Sequence, residues 1–494
     1  MVAVLLLYLL VLLVVGLWGG RESGTLEGYF VAGKKLPSWV VAFSTNATGE
    51  SGWLLLGLTG MGYAVGVHAF WVVLGEVLGV AAAWTFVARP FKEYTDRYRS
   101  VTVLDYLEDR FRDNAHLLRW VGVLVILSMV MAYTAAQLTA SGKAFDSFLG
   151  TGYTGGVVLG AAVTLFYTSV GGFKAVAYSD LLQGLLMLGA LVTLPFVVFA
   201  AGGGWVAVME NLGAQDAALL RPMGSAGLSV AGVLSAAGFV AIGLAFLGSP
   251  QLLTRFMSAR DGKHLTDGGL LAVLCIVGFD VGAVLTGMAG RALYPTLADP
   301  ETVLPLVSTD LLAPVLTGVV LTVVLAAIMS TVDSLLILAS SAVVRDGIQK
   351  IGGSTASERR LSLWGKLATI VLGAGALVLA LGEVRMIFWF VLFAWSGIAC
   401  AFTPVVLCSL FWKGTTRAGA AAGMVGGFLV TVGWVVAFKA RFHDLYEMIP
   451  GFAAGLLLTV LVSLFTRPPE DAAEQFRSVS GAIGGPFGGD PRPR

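Results

Sequence analysis

Long apolar runs recur along the chain, separated by short stretches that gather Gly, Pro and charge. Within the runs the apolar positions follow one another continuously, without the every-other-residue alternation of a membrane strand, so the pattern predicts bilayer-crossing helices. Thirteen spans are expected, at 2–19, 37–64, 68–89, 118–148, 154–171, 175–200, 229–254, 267–290, 313–344, 361–381, 386–410, 417–437 and 447–466. The fold class is therefore all-α and polytopic.

Without the first span and the last two, ten remain. They divide into five (37–200) and five (229–410), joined by an outer loop (201–228). Five is odd, so the second set enters the membrane inverted relative to the first. An N-terminal helix with the first inner loop (1–36) precedes them. Two C-terminal helices (411–466) and a tail (467–494) follow. The tail is rich in Pro, Gly and charge and is expected to be disordered and cytoplasmic.

The opening helix of each half is interrupted. In the first, "STNATGESGW" (44–53) places small and polar residues and a carboxylate inside an apolar run; in the second, "GLAFLGSP" (243–250) does so with Gly and Pro. Matching breaks in two halves point to a transporter binding site, because unwound backbone groups at the midplane become free to meet an ion or a substrate. A kink that only eases helix packing is the plainer reading of either break alone.

Charge orients the spans. Loops 20–36, 89–117, 171–174, 255–266, 345–366, 411–417 and the tail carry 24 of the 31 Lys and Arg, and the opposite loops carry 5. The rule that cytoplasmic loops are basic then puts the N-terminus outside and the tail inside. Composition agrees: 57% of residues are hydrophobic and 12% charged, with net charge +1, which gives no electrostatic case for nucleic acid. The N-terminal run has no basic flank or cleavage signal and is expected to be a retained helix. Cys275, Cys400 and Cys408 lie in apolar runs and are expected to be core residues. No Walker loop and no HExxH is present, and the four histidines are scattered, so an enzyme is not indicated.

The run "VLAAIMSTVDSLLILASSAVVRD" sets Ala327, Ser330, Thr331 and Ser334 on one helical stripe. Hydroxyls and a carbonyl facing an unwound segment form an oxygen-only shell suited to a small alkali cation; ordinary small-residue packing is the alternative. Five acids fall within spans: Glu50, Glu76, Asp180, Asp280 and Asp333. Asp180, near a helix end, is expected to reach interfacial water, and Asp333 to face it and share a cation. Glu76 and Asp280 have no evident partner and are read as structural acids.

"STNATGESGWLLLGLTG", "FYTSVGGFKAVAYSDLLQG", "LGSPQLLTRFM", "VLAAIMSTVDSLLILASSAVVRD", "FAWSGIACAFTPVVL" and "YEMIPGF" closely resemble the sodium/solute symporter family, from about residue 15 to 466, and within it the proline-carrying branch. The resemblance implies a bacterial inner-membrane importer of L-proline, or of a similar small carboxylate, driven by Na+, with no obligate protein partner. It implies sodium ligands at the backbone of Ala47, Glu50 and Ala327 and the hydroxyls of Ser330 and Thr331. It implies substrate contacts at Ser51, Gly52, Trp53 and Tyr133, with Phe246 standing where the second break carries an aromatic, and a second sodium site at Asp180, Asp333 and Ser334. Two departures stand out. The branch has an aspartate where this chain has Gly49, with Glu50 one place later, and an aromatic pair is replaced by Ile242 and Phe246. A membrane sensor or a channel is the reading from a different class.

Overall fold

The computed structural model describes residues 1–382 and 387–483. Among the described residues, ten helices are long and apolar enough to cross a membrane. One of these stretches, Ser38–Arg97, runs for 60 residues and turns at Gly66, and two shorter apolar helices, Tyr153–Phe166 and Met448–Leu464, accompany them. No β-strand occurs among the described residues.

The elements that build the site are α1 (Ser38–Gly52), α2 (Phe70–Ala82), α3 (Leu117–Leu149), α4 (Tyr153–Ala201), α5 (Val230–Ala241), α6 (Pro250–Ser258), α7 (Gly262–Leu293), α8 (Pro314–Ser341) and α9 (Ile387–Phe411). α8 is central: every residue from Val320 to Ala342 is buried. The peripheral helix Glu358–Ala380 instead leaves Leu363, Leu367, Val371 and Val378 exposed, as a lipid-facing helix does.

Both expected breaks are present. α1 ends at Ser51, whose φ of 48° and ψ of −171° leave the helical region. A non-glycine residue pays for such a conformation in strain, and it persists only where its surroundings hold it. The second break follows a 3₁₀ turn, Ile242–Leu247, and falls at Gly248, after which Pro250 opens α6. α4 is broken too, at Gly172 (φ 64°, ψ −176°).

A glycine crossing locks α2 onto the second break. Gly75 and Gly79 stand one turn apart. A Cβ on Gly79 would lie 2.1 Å from the Gly243 carbonyl oxygen, and one on Gly243 would lie 1.8 Å from that of Gly75. Only backbone against backbone fits there, the close approach that small-xxx-small spacing permits.

At the end of the bundle where cations concentrate, Arg119 is buried within a span. It bonds Asp105 at 2.9 Å and Glu108 at 2.7 Å and also pairs with Asp346, while Arg345 reaches Asp105 at 3.1 Å. Burial pushes the Asp105 carboxyl up, but the Arg345 and Arg119 charges outweigh it and hold it below its ordinary value. The expectation of a disordered tail fails over Ala472–Ile483, which forms α10. Gln475 accepts from the Tyr98 hydroxyl at 2.8 Å, and Asp471, just before the helix, pairs with Arg112. The rest of the tail, 484–494, lies outside the described residues.

Candidate cation and substrate site

The hydroxyl stripe of α8 faces the polar turn of α1 just before its break. Ser330 Oγ donates to the Ala47 carbonyl at 2.8 Å and to that of Ala327 at 2.9 Å. Thr331 Oγ1 donates to the Thr48 carbonyl at 3.1 Å. Ala47, Ala327, Ser330 and Thr331, the expected ligands, are therefore together in one buried nest of oxygens. Thr48 joins it unforeseen, because its carbonyl is a backbone group without a sequence signal. Glu50 is placed differently. Its carbonyl accepts from the Trp53 N–H, and its carboxylate stands with those of Glu76 and Asp280.

Asp180, Asp333 and Ser334 also converge, around a cation that the chain supplies itself. Arg255 of α6 is fully buried, and its Nη2 lies 3.1 Å from Asp180 Oδ2 and against Ser334 Oγ. Its Nε donates to Ser44 Oγ at 3.1 Å, and Ser44 Oγ donates to Asp180 at 2.6 Å. Ser334 bonds Asp333 at 3.1 Å. The expectation that Asp180 reaches interfacial water fails, since it is completely enclosed. The signal for Arg255 was its position in "LGSPQLLTRFM", a cation about two turns after the second break.

Around the first break, Ser51, Gly52, Trp53, Tyr133 and Phe246 are all buried. The free N–H of Gly52 donates to Gln137 Oε1 at 2.9 Å, and Gln137 Nε2 donates to Ser51 Oγ at 3.2 Å. This residue was missed, although it lies one turn from Tyr133 on the same face of α3. Trp395 of α9 was also missed. It meets Phe246 edge-on at 5.5 Å and Tyr133 at 6.2 Å, and its Nε1 donates to the Ile242 carbonyl at the second break. Trp53 meets Phe388 at 5.7 Å. The aromatic residues near the break therefore come from the turn after α1, from α3, from the 3₁₀ turn before the second break and from α9. The replacement at position 49 has a physical counterpart: Phe246 lies over Gly49, so close that a Cβ there would come 2.8 Å from its Cε1.

Two membrane helices broken opposite each other, with an unbroken helix offering hydroxyls to the backbone of the first, are the architecture of a secondary transporter. The chain belongs to the sodium:solute symporter family, whose model matches residues 29–427. It is 37% identical to the high-affinity proline transporter PutP of Bacillus subtilis, over 94% of this chain and 98% of that one. It is 33% identical to a sodium/proline symporter of Staphylococcus aureus, over 94% and 92%. Its fold is similar to that of a Na+-coupled sialic acid symporter, with a TM-score of 0.78 at 21% identity over 94% and 98% of the two chains.

Proposed function

We propose that the chain imports L-proline together with sodium, by alternating access, across the bacterial cytoplasmic membrane. The carrying observation is the contact of Ser330 Oγ with the Ala47 carbonyl at 2.8 Å, which ties an unbroken helix to a broken one through groups that a sodium ion would share. The 37% identity to a proline transporter along nearly the whole chain supports the substrate. Thirteen crossings account for the ten long helices, the turn at Gly66 and the two shorter helices, and the two opposed breaks fit a five-plus-five inverted repeat.

Sodium takes the oxygens of Ala47, Thr48, Ala327, Ser330 and Thr331. The Ser330 and Thr331 hydroxyls, which donate to the Ala47 and Thr48 carbonyls, would turn their oxygens to the ion and so hold α1 against α8. The guanidinium of Arg255 fills the neighbouring position at Asp180 and Ser334, so no second sodium is needed there. A substrate carboxylate displaces Gln137 from the Gly52 N–H and from Ser51, and the ring of Trp53, Tyr133, Phe246 and Trp395 encloses the pyrrolidine. Each sodium entering down a 100 mV inside-negative potential releases about 2.3 kcal/mol, enough to accumulate substrate about 50-fold.

Uptake of radiolabelled L-proline into proteoliposomes, with and without an inward sodium gradient, tests the reading. Gradient-dependent accumulation that Ser330→Ala abolishes at low sodium is expected. No proline uptake under any gradient, from protein shown to be folded, refutes it.

A further inference from the structure

Glu50 at the end of α1, Glu76 in α2 and Asp280 in α7 each bring one carboxylate oxygen to within 4.8 Å of the other two, and all three side chains are buried. A second observation goes beyond proximity. Both oxygens of Glu50, both of Asp280 and one of Glu76 have no hydrogen-bond donor. Buried polar oxygens are nearly always satisfied, so five orphans in one place mark a missing partner.

Buried acids elsewhere in the chain show what such a partner does. Arg255 lies 3.1 Å from Asp180, and Asp333 stands beside them through Ser334. Among the described residues no ion pair reaches Glu50, Glu76 or Asp280, so their charge is compensated either by protons shared among the three or by a cation from outside the chain. The spacing suits a metal ion. A hard cation with oxygen ligands at about 2.3–2.6 Å touches oxygens up to about 5 Å apart, and carboxylates are the ligands such cations prefer.

We propose that Glu50, Glu76 and Asp280 form a second cation site, which takes a hard, oxygen-seeking metal cation: sodium, or a divalent ion such as calcium. It stands apart from the nest of the proposed function and rests on the family's transport role only for the presence of sodium. The ion ties α1 to α2 and α7. Because α2 is locked to the second break at Gly75 and Gly243, occupancy links the two broken helices to each other.

Binding of radioactive Na+ and Ca2+ to the full-length protein in lipid nanodiscs tests this, for wild type, Glu76→Gln, Asp280→Asn and Ser330→Ala. Folding is checked by gel filtration, and Glu76→Asp serves as the conservative control. The expected result is that Glu76→Gln and Asp280→Asn each lose one cation equivalent, or weaken it at least tenfold, and keep the sodium that Ser330→Ala removes. Glu76→Asp restores the lost equivalent in part. Whichever ion loses the equivalent is the one the site takes. Equal stoichiometry and affinities within twofold in wild type and both carboxylate variants overturn the proposal, as does a wild type that binds neither ion beyond the equivalent lost in Ser330→Ala. If Ser330→Ala keeps all its sodium while Glu76→Gln loses it, the second site stands and the nest reading fails.

Discussion

Placing a methyl group at position 49 separates packing from chemistry at the first break. In Gly49→Ala the new Cβ falls 2.8 Å from Phe246 Cε1 and 3.1 Å from Cζ, well inside the 3.5–4.0 Å at which carbon atoms rest against each other. The ring does not swing aside freely, because it meets Trp395 edge-on at 5.5 Å, a pairing worth about 0.5–1.5 kcal/mol. Overpacking of this kind costs about 1–3 kcal/mol. Replacing helical glycine by alanine returns up to about 1 kcal/mol, so a net loss of about 0–2 kcal/mol is expected. Phe246→Leu removes the ring edge and leaves room for the methyl group. In the double variant the clash disappears, and a double-mutant cycle should show a coupling of at least about 1 kcal/mol in favour of the pair. Equilibrium unfolding in detergent micelles measures stability, and sodium-dependent proline uptake by the same variants reconstituted in proteoliposomes shows whether the break still works. Additivity within about 0.5 kcal/mol would mean that Phe246 does not occupy the space of the missing side chain. The link drawn between the two departures from the family pattern would then be wrong.

Ser330→Ala removes one oxygen from the proposed sodium nest; at about 1.5–3 kcal/mol for a hydrogen-bonding group facing a charge, the half-saturating sodium concentration for uptake should rise at least tenfold, and a change under twofold counts against the nest. Arg255→Gln leaves Asp180 buried without its ion pair and should cost about 3–5 kcal/mol of stability; adding Asp180→Asn should recover much of the loss in chemical unfolding, and an unrecovered loss would show that the arginine acts through something other than this charge. Asp105 is held below its ordinary value, so its share of stability is complete above the unfolded carboxyl value of about 4 and disappears as pH falls further; melting curves from pH 7 to pH 3 should drop below pH 4, less steeply for Asp105→Asn than for wild type, and parallel curves would exclude it as the source.

What was legible in the sequence is what local spacing carries. The break in "STNATGESGW" and the stripe of Ala327, Ser330 and Thr331 each lie within a few turns of one helix, and the structure joins them as expected. Partners far apart in sequence were not legible. Glu76 and Asp280 read as isolated acids because they and Glu50 lie on three separate helices. Arg255 looked like a loop cation, and only the folding of α6 against α1 and α8 carries it to Asp180. The tail was misjudged from composition: its charged residues do not solvate a free chain over residues 471–475, since Asp471 meets Arg112 and Gln475 meets Tyr98.

The crossing of Gly75, Gly79 and Gly243 has a mechanical meaning. Side chains between two helices can change rotamer and absorb a displacement; two bare backbones in contact have nothing to rearrange. Movement of α2 is therefore passed undamped to the 3₁₀ turn Ile242–Leu247, and the two travel as one stiff lever. The compliance needed for a rocking cycle has to reside at the joints, Ser51 and Gly248, where the chain has already given up its helix.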